Sequence, residues 1–397
     1  GIPVYLIESG TEELTRMEFT FRAGQIMEEY PLQASTVNMM LGEGSENYTS
    51  EKLHDTLDYY GSFMHLSIDR DRAGLVLFSL NRHFEKILEL GREILYRPVF
   101  PEKEFNALMK KRVQWYRINR EKVQNLASDQ FFESVFGADN PYGRQVREED
   151  FSSLDREKLS SFHRRFYSPS NMAIIISGII PSGIASHLDH YFGNIRPQDF
   201  EVLEERQAFT GSLRKKVHIS RKGNLQTAIR IGSATINKRN PDYPALKILD
   251  TVLGGYFGSR LMKNIREDKG YTYGIRSSVS SLDLSGYKII STDVGSENTL
   301  NALNEIYSEI GRLQNEFVEE NELEVVRNYM AGEMLRMFDG PFSTAESFRS
   351  AWEFGLDLSY YNKFAEKIRS ISPDEIKELA NKYYKIEELY QVTAGSE

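Results

Sequence analysis

The sequence predicts an α+β protein of two homologous domains, each an antiparallel-rich sheet covered on one face by helices. Three observations carry this expectation. The segment LSSFHRRFYSPSNMAIIISG, Leu159 to Gly178, matches IKELANKYYKIEELYQVTAG, Ile376 to Gly395, with no gap; Phe162 falls over Leu379, Phe166 over Tyr383, Tyr167 over Tyr384 and Gly178 over Gly395. At nearly the same offset Phe84, Ile87, Leu90 and Ile94 fall over Leu300, Leu303, Ile306 and Ile310, one helix stripe written twice. Finally, Ser62 to Arg70 and Gly74 to Leu80 alternate as strands do, whereas Phe84 to Leu95 and Glu102 to Trp115 are amphipathic at the helical period and would cover a sheet face.

Each copy then has one order of elements: strands, a helix, a glycine turn, a second helix, two alternating strands, several helices and a last strand. The first copy is expected over residues 1–195. Between the copies RPQDFEVLEERQAFTGSLRKK, Arg196 to Lys216, is charged and without a clean period, which is the mark of a linker. The second copy, 217–397, opens with a strand pair around Val217 to Ile219 and Gln226 to Ile231.

Composition narrows the function classes. A chain of 397 residues is long enough for two or three domains with proper cores. The absence of cysteine excludes disulfides and every thiolate metal site. A net charge of −9, with no basic stripe interleaved with aromatics, argues against a nucleic-acid surface. No apolar run approaches the length of a membrane span. The chain opens at Gly1 inside an expected strand, PVYLIES, so an initiator or export signal is expected to have been removed or never present. The compartment is left open between cytoplasm and periplasm.

The most informative run is LGGYFGSRLMKNIREDKGYTYG, Leu253 to Gly274. Gly254, Gly255 and Gly258 permit backbone conformations and close approaches that other residues do not. Ser259 stands where an N-cap belongs, before a helix whose apolar stripe is Leu261, Met262 and Ile265, and Gly270 ends that helix. From Tyr271 the pattern turns to alternation, with Tyr271, Tyr273 and Ile275 on one side of a half-buried strand. Arg266 and Tyr273 flank the corner, so a guanidinium and a phenol could meet there. Taken singly, they are an arginine on a helix and a tyrosine in a sheet.

The ordered run resembles the second-half signature of the pitrilysin/insulinase-type metallopeptidases, the inverted zinc-motif family that includes the mitochondrial processing peptidase and its two-subunit bacterial relatives. The family's glycine turn, Ser-Arg-Leu and Arg-Glu-x-x-Gly-x-x-Tyr are met by Gly258, Ser259, Arg260 and Leu261, then by Arg266, Glu267, Gly270 and Tyr273. The resemblance extends nearly end to end and implies a clamshell half of two such domains that closes against a second chain. It also implies that Arg266 and Tyr273 bind the substrate backbone in a catalytic chamber. The turn of Gly254, Gly255, Tyr256, Phe257 and Gly258 would then line the chamber or its mouth; as plain structure it is a packing turn between sheet and helix.

Catalytic members of the family carry His-x-x-Glu-His on the first long helix. Two imidazoles on one helix face ligate zinc, and the carboxylate between them activates water. The matching helix here, LQASTVNMMLGEGS, has Ser35, Asn38 and Met39 at those positions. A hydroxyl is a poor neutral ligand, a thioether prefers soft copper, and an amide has no titratable group to serve as base. The later helix that supplies a third ligand places Trp115 or Tyr116 there, with Glu121 the nearest acid. Among His54, His65, His83, His163, His187, His190 and His218 no pair has a zinc-peptidase spacing, and His187 and His190, with Asp189 between, fit a solvated helix surface. A nucleophile elbow and a phosphate-binding glycine loop are both missing.

The resemblance therefore implies a non-catalytic, substrate-binding subunit of a two-chain zinc peptidase. No cofactor is expected in this chain; zinc is expected in a homologous partner, with peptide as substrate and a homodimer possible in isolation. Two alternatives stand beside it. One is a purely structural scaffold of the same fold, as in the respiratory cytochrome complex. The other is a zinc endopeptidase active by itself, which the absence of His-x-x-Glu-His disfavours.

Overall fold

The computed structural model describes residues 1–195 and 211–396. Residues 196–210 of the expected linker lie outside the described residues, as does residue 397. The chain folds into two compact units, each built on a five-stranded sheet.

In the first unit the strand order is β1 (Val4–Glu8), β5 (Met172–Gly178), β2 (Leu14–Phe21), β4 (Ala73–Leu80) and β3 (Phe63–Ile68). β1 runs parallel to β5, and the other neighbours are antiparallel. The central strand is buried on both faces: Met17, Phe19 and Phe21 alternate with Arg16, Glu18 and Thr20, and none reaches solvent appreciably. The apolar face receives the Phe84–Tyr96 helix through Ile87, Leu90 and Ile94, each fully buried, and a buried side chain of this size stabilises by about 1.5–3 kcal/mol. Gly91 allows that approach, since a Cβ there would lie 2.9 Å from Leu77 Cδ1.

The opposite, polar face has a cover of its own. From the Pro341–Trp352 helix, Arg349 Nε reaches Glu18 Oε1 at 3.0 Å while Arg16 Nη1 holds Glu18 Oε2 at 3.0 Å. Phe342 meets Phe78 edge-on at 5.4 Å. The two buried charges of β2 are thus compensated by the helix that covers them.

The second unit repeats the layout: β6 (Lys216–Ser220), β10 (Tyr390–Gly395), β7 (Gln226–Thr235), β9 (Gly286–Gly295) and β8 (Thr272–Ser281), with β6 parallel to β10. The expected pair around Val217 and Gln226 forms two strands that are not neighbours. β10 lies between them, Val392 facing Val217 on one side and Arg230 on the other. The core gathers Ile229, Ile231, Leu246, Leu249, Leu261 and Ile306. The outer face is covered by the Val123–Phe136 helix, where Arg230 Nε donates to Ser128 Oγ at 3.1 Å and Phe132 sits edge-on to Tyr287 at 5.1 Å.

Chain order and compact units therefore differ. The first unit is made of Gly1–Tyr116, the stretch beginning at Val146, and Phe338–Arg349. The second is made of Arg117–Gln145, the stretch ending at Met337, and Ser350 onward. Each half of the sequence lends one helix to the other half's sheet. Among the described residues no helix is long and apolar enough to cross a membrane.

Candidate functional site

The glycine turn follows the Tyr243–Asp250 helix, whose end widens into a π-helical turn over Thr251–Gly255. Gly254 is required for close approach: a Cβ would lie 2.6 Å from Ser277 N on β8. None of the three glycines has a positive φ, so contact distance, not backbone handedness, selects them. At Gly258 the obstacle is the Tyr256 ring, 2.9 Å from an added Cβ, and Tyr256 stacks at 5.0 Å on Tyr329.

Arg260 and Leu261 enter the next helix, which is π-helical over Met262–Asp268. Insertions of this kind recur at functional sites. Ser259 holds the expected boundary, its carbonyl accepting from Lys263 N at 2.9 Å, but its buried hydroxyl has no partner and caps nothing. Leu261, Met262 and Ile265 are buried as the stripe predicts. Gly270, at φ 66°, closes the helix while Tyr271 N reaches back to Ile265 O at 3.0 Å. Arg260 of the Ser-Arg-Leu run forms a two-point ion pair with Glu322, 2.8 Å at each bond, and so ties the turn to the Glu320–Arg336 helix.

Arg266, half-buried, lays its guanidinium 4.5 Å from the centroid of the Phe257 ring, and no carboxylate among the described residues pairs with it. Tyr273 departs from the sequence reading. Between Thr272, which faces Val294, and Ile275, which faces Thr292, β8 carries one residue more than β9. This bulge removes Tyr273 from the face of Ile275: Tyr273 is 93 % exposed and Ile275 4 %. Two hydroxyls lock the bulge. Thr272 Oγ1 accepts from Gly274 N at 3.1 Å, and Thr292 Oγ1 donates to Gly274 O at 2.9 Å. Arg266 and Tyr273 make no bond to each other.

In the first unit the Gln33–Met40 helix opens from Leu32 at φ 70°, an uncommon conformation for a leucine. Its three motif positions diverge. Arg112, from the Glu102–Arg120 helix, donates to Ser35 Oγ at 2.8 Å and to Thr36 Oγ1 at 2.5 Å. Burial lowers the pKa of this guanidinium, and the nearby Glu28 opposes that shift. Asn38 is buried and donates to Gly74 O at 3.2 Å and to Tyr167 Oη at 3.3 Å, while Met39 is exposed. Trp115 is exposed, Tyr116 donates to Val146 O at 3.3 Å, and Glu121 is exposed. A hydroxyl committed to a guanidinium, an inward amide and an outward thioether do not fit zinc. Arg112, absent from the sequence reading, lies one helical turn before Tyr116, and that spacing was its only signal. Among the described residues no group of three or more His, Asp or Glu is placed to hold a metal ion. His187 faces Glu85 at 3.8 Å.

Two sheets of one topology, one with a filled motif helix and one with the glycine turn and Arg266, define a two-domain peptidase-like chain. Residues 153–330, somewhat under half of the chain, match the family model described as Peptidase M16 inactive domain, and it is this family that the chain resembles. It is similar to a crystal structure described as a peptidase M16 inactive domain from Pseudomonas fluorescens, with a TM-score of 0.91 at 21% identity over 100% of this chain and 96% of that one. It is 22% identical over 300 residues to a protein of Bacillus subtilis named uncharacterized zinc protease YmxG, 75% of this chain and 72% of that one. It is 21% identical over 404 residues to a Helicobacter pylori protein named non-peptidase homolog YmxG, 98% of this chain and 90% of that one. A Mycobacterium tuberculosis relative, named an uncharacterized zinc protease, is matched over 37% of its length at 30% identity.

Proposed function

We propose that this chain is the non-catalytic, substrate-binding subunit of a two-chain zinc peptidase that degrades or processes peptides. A zinc-bearing homologous subunit supplies the metal and the base. This chain supplies Arg266, which holds a peptide carbonyl, and Tyr273, whose hydroxyl donates to the oxyanion formed when the partner's zinc-bound water attacks. In this reading residues 1–195 are the peptidase-like domain with a degenerate metal site, 196–216 the linker, and 217–397 the domain bearing the Arg/Tyr pair.

The observation that carries the reading is Tyr273: a large aromatic residue, 93 % exposed, set out on a bulge by two threonine hydroxyls and given nothing to do inside its own chain. A built device that presents a free phenol is costly to keep for a purely structural scaffold. The names of the relatives, inactive domain and non-peptidase homolog, support a member that does not cut alone. Phe257, itself exposed, is the ring on which Arg266 rests.

The test is peptide hydrolysis and metal analysis of the purified chain, alone and mixed with a zinc-bearing homologue. The lone chain is expected to cleave nothing and hold no stoichiometric zinc, and the mixture to cleave. Arg266→Ala and Tyr273→Phe are each expected to lower turnover of the mixture by about a hundredfold or more, the usual loss for an oxyanion donor. A mixture whose turnover survives both changes favours the scaffold; zinc and cleavage in the lone chain favour the self-sufficient peptidase.

A further inference from the structure

The two sheets each end in an open edge, and the two edges are opposite in charge. β1 ends one sheet and β6 the other, and among the described residues no strand is bonded to the free side of either. In β1 the ladder to β5 is made through Pro3 and Ser9: Ile174 N donates to Pro3 O at 3.0 Å, and Ser9 N to Gly178 O at 3.2 Å. In β6 the ladder to β10 is made through Lys215 and Arg221: Gln391 N donates to Lys215 O at 2.7 Å, and Arg221 N to Gly395 O at 2.7 Å. Successive residues of a strand turn their main-chain groups to opposite sides, so those of Val4, Leu6 and Glu8, and of Lys216, His218 and Ser220, point away from the sheet. The same six residues carry exposed side chains.

The chemistry of the two edges is complementary. Residues 1–15 hold Glu8, Glu12 and Glu13 and no lysine or arginine, and Val4 and Leu6 are 39 % and 50 % exposed. Around β6 stand Arg214, Lys215, Lys216, Arg221 and Lys222, with no acid between 211 and 241, in a chain whose net charge is −9. Exposed Glu8, Arg214 and Lys216 make no ion pair among the described residues. Charge on an edge strand is a device against pairing. Here Lys216 bars β6 from another β6 and Glu8 bars β1 from another β1, while neither bars β1 from β6.

We propose that a second copy of this chain docks on this edge, its β1 adding antiparallel to β6, so that sheets of two copies become one. In the register that sets Glu8 opposite Lys216, Leu6 falls opposite His218 and Val4 opposite Ser220, and all six outward residues form main-chain bonds. Glu12 and Glu13 then follow at the end of β1 that meets Arg214. A parallel joint would set Lys216 against Val4 instead. Because the two edges differ, the joint runs head to tail, and it does not depend on the peptidase reading, since association is measured on this chain alone.

Sedimentation velocity of the full chain tests it. Association is expected at about 50 µM in low salt, and is expected to weaken about tenfold or more near 0.5 M salt. Glu8→Lys and Lys216→Glu each set like charges across the joint, and each variant is expected to sediment as a monomer. Both changes lie at exposed positions that leave folding intact, which circular dichroism checks. Mixing the two variants is expected to restore association, because the unaltered Lys216 of one meets the unaltered Glu8 of the other. The proposal is overturned if the unaltered chain is still a monomer at about 200 µM in low salt. It is also overturned by association that survives either substitution, which belongs to another face, and by a mixture that stays monomeric.

Discussion

Arg112 Nη2 donates to Ser35 Oγ at 2.8 Å, so a guanidinium reaches the helix position that the family resemblance pairs with the first imidazole of a zinc motif. A fixed cation repels a divalent metal, and its two bonds tie the Glu102–Arg120 and Gln33–Met40 helices together. Restoring the motif as Ser35→His, Asn38→Glu and Met39→His is therefore expected to give no stoichiometric zinc while Arg112 remains, as metal analysis after dialysis would show. Arg112→Met alone is expected to lower stability by about 1–3 kcal/mol in denaturant unfolding, since it leaves two hydroxyls without their donor.

The glycines of the turn make a graded prediction. In Gly254→Ala the new methyl meets Ser277 backbone nitrogen at 2.6 Å, and main chain in a sheet does not yield; a loss of about 2 kcal/mol or more is expected. In Gly258→Ala it meets the Tyr256 ring at 2.9 Å, a side chain able to turn aside. That variant is expected to cost less and to alter the Tyr256–Tyr329 stack, which near-ultraviolet circular dichroism would read.

The bulge separates presentation from stability. Tyr273→Phe is expected to change unfolding free energy by less than about 0.5 kcal/mol, because an exposed phenol without a partner loses nothing. Thr272→Val removes the acceptor of Gly274 N and is expected to cost about 1–2 kcal/mol. If Tyr273→Phe proved the more destabilising of the two, its hydroxyl would have a role within this chain.

Acid lability is expected from His163. Its ring is buried, Nε2 sits 2.8 Å from Leu95 O, and burial pulls its pKa down to about 4 from 6.5. The unfolded chain takes up the proton first as pH falls, so the contribution is complete above 6.5 and is lost between there and 4. The loss is roughly 3 kcal/mol. His163→Gln should flatten that part of the pH dependence of unfolding; an unchanged slope would assign it to other groups.

Much of this was legible in the chain itself. The Leu159 and Ile376 segments form the same pair of elements, a helix (Arg156–Phe166, Pro373–Tyr383) leading into β5 or β10, because each carries its own apolar period and glycine stop. Gly270 marked its helix end for the same local reason. Tyr273 was placed on the wrong face because alternation assumes an unbroken ladder, and the extra residue is specified by Thr292 on another strand. Arg112 and the Val123–Phe136 helix were unreadable for a further reason: their partners are set by tertiary packing, and an amphipathic stripe does not say which sheet it will cover.

The two borrowed helices bind the fate of both halves of the gene product together. A polypeptide ending at Ile195 would own a first sheet with Glu18 and Arg16 left bare to water, and would carry a helix made to shelter a sheet it lacks. Synthesis of the first half alone should yield aggregates, and the two halves made side by side should rescue each other.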